Sequence, residues 1–88
     1  MSDYKIQSVL FNKSIWNIGQ ALDWILEHGY AVKKIDDAPN FYRFRQLNPA
    51  YLKSKGYINY RDRDIGEGVI LVLVYKELRP VVNTMISI

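Results

Sequence analysis

From Ile15 to Glu27 the chain carries an unbroken helical period, and that stretch limits how everything else can be arranged. Ile15, Ile18, Leu22, Ile25 and Leu26 fall within one arc with Ala21 on its flank, while Gln20, Asp23 and Glu27 form the opposite face. Ser14 is placed to accept from the free amides of the first turn. His28-Gly29 closes the helix, because Gly29 can take the left-handed conformation and His28 sits at the negative end of the dipole. A helix with a single apolar arc must lay that arc on another layer, and the extended segments around it make that layer a sheet. Trp24 lies on the edge of the arc and Trp16 among the polar positions. Trp16 therefore has two readings: it folds back over the loop before the helix, or it stays exposed for partner contact or base stacking.

Residues 4 to 12 alternate as a strand with apolar side chains on both sides, and Asn12-Lys13-Ser14 breaks it. Residues 30 to 37 make a second strand, Ala38-Pro39-Asn40 a turn, and residues 41 to 47 a third strand that completes a hairpin. Asn48-Pro49 has the pattern of an N-cap followed by proline at the first helical position, so residues 50 to 55 form a short helix closed by Gly56. Residues 57 to 65 are extended, and Gly66-Glu67-Gly68 turns into Val69–Tyr75. That last run is β-branched and aliphatic throughout, as expected of a strand buried on both faces. The order predicts one compact α+β domain over residues 1 to 80, with a mainly antiparallel sheet covered by one amphipathic helix plus a short second helix. A ferredoxin-like arrangement or a related split βαβ fits it. Residues 81 to 88 form an apolar tail that either packs on its own domain or pairs with another chain.

Eighty-eight residues suffice for one domain. Seven Tyr, three Phe and two Trp supply large side chains for a small core. Without cysteine there is no disulfide framework, which suits a reducing intracellular setting. The start lacks the layout of a secretory signal. The longest apolar run falls far short of the roughly 20 residues of a membrane helix. The chain is thus expected to be neither secreted nor membrane-spanning. A formal charge of +3 permits contact with nucleic acid or an acidic protein face without selecting either.

The stretch Phe41-Tyr42-Arg43-Phe44-Arg45-Gln46-Leu47 holds the strongest candidate surface. If Tyr42 and Phe44 face the core, Arg43 and Arg45 line an outer face about 7 Å apart, near the spacing of successive phosphates. Lys33 and Lys34 lie on the neighbouring strand, and Arg61 and Arg63 on a later one. Together they would make a basic platform for a single strand of nucleic acid. The plain alternative is an edge kept soluble by charges that pair with Asp36, Asp37, Asp62 or Asp64. Asp62, Asp64 and Glu67 offer hard oxygens for Mg²⁺, but Arg61 and Arg63 alternate with them and neutralise the pair. His28 is the only histidine and lacks the partners of a general base. No catalytic residue, metal or cofactor is expected.

Several of these residues carry a family resemblance. Val9-Leu10-Phe11-Asn12-Lys13-Ser14, Trp16, Ala21-Leu22, Trp24, His28-Gly29-Tyr30, the Asn40–Leu47 string and the Gly68-Val69 strand resemble a small, poorly characterised domain family. That family is found in tailed bacteriophages and large nucleocytoplasmic DNA viruses, and the resemblance spans roughly residues 5 to 76. It implies a viral protein acting in the host cytoplasm or the virion. In phages such domains accompany head and packaging genes, as a virion component or a DNA-associated factor would. It carries no catalytic residues across, and the tail lies outside it.

The leading expectation is a non-enzymatic viral module that contacts DNA or RNA through Arg43, Arg45, Lys33, Lys34, Arg61 and Arg63. The alternative is a protein–protein module of a virion, or one aimed at a host protein. Its contacts would be Trp16, Phe41 and its strand edge, or Ile86 and Ile88 of the tail as an exchanged strand in a homo-oligomer.

Overall fold

In the computed structural model, which describes residues 3 to 76, the order is β1 (Tyr4–Asn12), α1 (Ile18–Glu27), β2 (Lys34–Asp37), β3 (Phe41–Arg45), α2 (Pro49–Ser54), β4 (Tyr57–Asp64) and β5 (Val69–Lys76). The five strands form one antiparallel sheet in the order β2-β3-β1-β5-β4. The fold is α+β. Its first half is a split βαβ unit: β1 and β2 both run antiparallel to β3, which lies between them. The second half does not repeat that unit. After α2 the chain enters β4 at the far edge and returns through a hairpin into β5 beside β1. The tail, and with it Ile86 and Ile88, lies outside the described residues.

Alternation sorts the strand residues between two faces. Val9 and Phe11 of β1, Phe44 of β3 and Val69 of β5 pack with Ala21 and Ile25 of α1 into the main core, and all six are essentially excluded from solvent. Burial of the valine, isoleucine and phenylalanine side chains stabilises by about 1.5–3 kcal/mol each. On the other face Leu52 of α2 packs with Tyr57 and Val74, flanked by Leu47. The six-residue α2 covers only that end of the sheet.

Helix α1 starts three residues later than its apolar arc suggests. Asn17, not Ser14, caps it: the Asn17 side chain accepts from Gln20 N at 2.8 Å, and the Gln20 side chain accepts from Asn17 N at 3.0 Å. Ser14 is drawn into a turn whose acceptor is Asn12 Oδ1, which takes both its amide and its hydroxyl. The other end follows expectation. Gly29 has φ +78°, its amide donates to Leu26 O and the Tyr30 amide to Ile25 O, the paired bonds of a glycine-terminated helix.

Strand β2 begins at Lys34, four residues beyond its expected start, because Ala31 is held elsewhere. The Gln46 amide accepts from Ala31 N and donates to Ala31 O, both at 2.8 Å, which satisfies that residue outside any ladder. A bulge shifts the β1–β5 register between Ile6 and Ser8. It leaves Gln7 buried, with its amide donating to Leu47 O and its Oε1 accepting from Ser8 Oγ.

Candidate functional site

Because the residues of β3 alternate, Phe44 enters the core under α1 and Arg43 and Arg45 stand on the face that α1 leaves open. Cross-strand register extends this face as two rows over all five strands. One row runs Lys34, Arg45, Ser8, Val72, Asp62. The next runs Asp36, Arg43, Leu10, Ile70, Asp64. The open face is therefore banded. Strands β2 and β3 present three cations and one carboxylate, β1 and β5 present half-buried Leu10 and Ile70 while Ser8 and Val72 of the first row are buried, and β4 presents two carboxylates. Half-buried Phe41, paired with Asn12, continues the arginine side of β3 toward the end away from α2.

The six expected cations do not share one surface. Lys34, Arg43 and Arg45 are neighbours. Lys33 precedes β2 and its Nζ donates to Gln46 O at 3.2 Å, so it stands at the margin of this group. Arg61 and Arg63 pair with Leu73 and Leu71, whose side chains lie on the α1 face, at the opposite edge of the sheet. The separation has a simple cause. Arg61 and Arg63 are odd-numbered like Arg43 and Arg45, but the hairpin register that joins β4 to β5 puts the even-numbered Asp62 and Asp64 on the open face instead.

The arginines are only partly claimed. Among the described residues the ion pairs are Lys13–Asp37 and Arg45–Asp36, the latter at 3.5 Å and about one-third exposed on both sides. A pair that long and that wet is worth about 0–1 kcal/mol. Neither Arg43 nor Lys34 has a described carboxylate within 4.0 Å. The Arg45 Nε is buried and unpartnered. Asp62 and Asp64 do not reach the arginines, since three inter-strand steps, about 14 Å, separate β3 from β4.

Trp16 takes the structural role. Its ring meets Phe11 edge-on at 5.1 Å, and Nε1 donates to Glu67 O at 2.6 Å, tying the strand-to-helix loop to the β4–β5 turn. Beside it an open groove is lined by Ile15, Trp16, Gln20 and Glu67. His28 stacks on Trp24 at 3.7 Å, and its Nδ1 donates to Trp24 O. Among the described residues no three His, Asp or Glu side chains gather where a metal ion could sit, and no helix is long and apolar enough to cross a membrane. A perturbed titration lies at the α2 end. Tyr57 donates to the Asp3 carboxylate at 2.9 Å, and that bond, together with burial, pushes its hydroxyl pKa above the usual tyrosine value. The RDRD alternation of β4 also works against edge-to-edge pairing of two copies, because an antiparallel partner centred on Asp62 would bring arginine opposite arginine and aspartate opposite aspartate.

Comparison of the chain with family models, curated proteins and solved structures found no match.

Proposed function

We propose that this protein is a non-enzymatic module that contacts nucleic acid through the β2–β3 half of its open sheet face, in the viral setting that its sequence resemblance implies. The observation that carries the reading is the adjacency of Lys34, Arg45 and Arg43 with one carboxylate among them and no helix over them. Two arginines about 7 Å apart along a strand match the repeat of a phosphate backbone. Lys33 adds a fourth cation at the margin, and Phe41 supplies an aromatic ring at the end away from α2. Arg61 and Arg63 stand on the other face and are not part of this contact.

Three or four phosphate contacts on a single strand give a salt slope of about −2 to −3, so affinity falls about 20- to 50-fold between 50 and 200 mM salt. Fluorescence anisotropy with a labelled 12-nucleotide DNA measures it. Arg43→Ala with Arg45→Ala weakens binding to any sequence and flattens the slope. Absence of binding at 50 mM salt, or binding that survives the double substitution, overturns the assignment.

A further inference from the structure

We infer that this face selects single-stranded over duplex nucleic acid, and that Asp62 and Asp64 are the residues that exclude the second strand. The inference rests on the nucleic-acid reading above and uses a different part of the same face. The two rows place three bands side by side: Lys34, Arg43 and Arg45 on β2 and β3, half-buried Leu10 and Ile70 on β1 and β5, carboxylates on β4. A single strand lying along β3 sets its phosphates on Lys34, Arg43 and Arg45. Its bases then turn across the sheet onto half-buried Leu10 and Ile70, with Phe41 beside them at the end of β3 away from α2. An apolar shelf beside a phosphate rail suits unstacked bases and offers nothing to the outside of a duplex, whose bases are already stacked and paired.

The acidic band sharpens the choice. Strand β4 lies three inter-strand steps from β3, about 14 Å. That is close to the width of the major groove, about 12 Å, across which a duplex presents its second backbone. A duplex seated on Arg43 and Arg45 therefore brings phosphates toward Asp62 and Asp64, both exposed and without a described cation partner. A single strand has no second backbone to bring there. The α2 helix packed on Val74 closes the same face at one end, which shortens the seat to a few nucleotides.

The test compares a labelled 12-nucleotide DNA with the 12-base-pair duplex of the same sequence, at 50 mM salt, for the wild-type chain and for Asp62→Asn with Asp64→Asn. Both residues are exposed on an edge strand, so the variant folds, and its circular dichroism checks this. The wild type binds the single strand at least about tenfold tighter than the duplex. The double variant gains about tenfold on the duplex and less than about threefold on the single strand. Arg61→Ala with Arg63→Ala, on the opposite face of the same strand, leaves the ratio of the two affinities unchanged. Equal wild-type affinity for the two DNAs, or an equal gain on both in the aspartate variant, overturns the selection while leaving the nucleic-acid reading standing. No binding to either DNA overturns that reading itself.

Discussion

Replacing Gly68 with alanine probes the junction on which the sheet order depends. Gly68 lies in the β4–β5 turn at φ +77°, and its carbonyl accepts from Asn12 N at 2.8 Å where β1 ends. A Cβ there would meet Ile15 Cδ1 at 2.8 Å, Asn12 Cβ at 3.2 Å and Trp16 Nε1 at 3.4 Å. The exposed Ile15 side chain can rotate away, but Asn12 Cβ is fixed to β1 and cannot. The left-handed conformation costs an L-residue about 1–2 kcal/mol, and forcing a methyl into occupied space adds about 1–3 kcal/mol. The total is about 2–5 kcal/mol, against a whole-domain stability of about 5–15 kcal/mol. For a chain of this size it lowers Tm by about 10–25 °C. Gly66→Ala is the matched control, since Gly66 has φ +92° but nothing within 4 Å of the built Cβ. Urea denaturation followed by circular dichroism should place Gly68→Ala about 1–3 kcal/mol below Gly66→Ala. Equal stability of the two variants would refute the close approach of the turn to β1 and α1.

Three further outcomes follow from local geometry. Asn17→Ala costs about 1 kcal/mol in denaturant unfolding whereas Ser14→Ala stays within about 0.5 kcal/mol, and the reverse ranking would return the cap to Ser14. Gln46→Ala strips both partners from the Ala31 backbone and costs about 1–3 kcal/mol, with faster amide exchange at Ala31 as the local readout. Tyr57 holds its proton more tightly folded than unfolded, so the stability it draws from Asp3 is present in full below about pH 10 and is lost as pH rises through the folded pKa. The stability difference between wild type and Tyr57→Phe should be flat at neutral pH and shrink above about pH 10, and a difference that grows there would invert the sign.

Much of the fold could be read from residue patterns because its signals are local. The left-handed Gly29, the Asn48-Pro49 start of α2, the Ala38–Asn40 turn and the 66–68 turn each act within a few residues, and all four stand where the chain suggests. The later start of α1 was hidden because Ser14 and Asn17 are both competent caps. The choice between them depends on Asn12 capturing Ser14, a contact in the turn that leaves β1. The late start of β2 depends on Gln46, fifteen residues away from Ala31.

The candidate site divides in the same way. Arg43 and Arg45 sharing a face opposite Phe44 follows from alternation within one strand. The placement of Arg61 and Arg63 does not, because it is set by which β4 residue pairs with which β5 residue across a turn of three left-handed residues. The same register brings Asp62 and Asp64 onto the arginine face, where no pattern within β4 alone would have put them.

The most direct test of the central claim is a backbone-amide NMR titration of the ¹⁵N-labelled chain with a 12-nucleotide single-stranded DNA at low salt. Shift changes are expected to cluster on Lys34, Arg43, Arg45, Leu10 and Ile70 and to spare Ala21, Ile25, Arg61 and Arg63. Changes centred on Arg61, Arg63 and the α1 side, or none at saturating DNA, would contradict it.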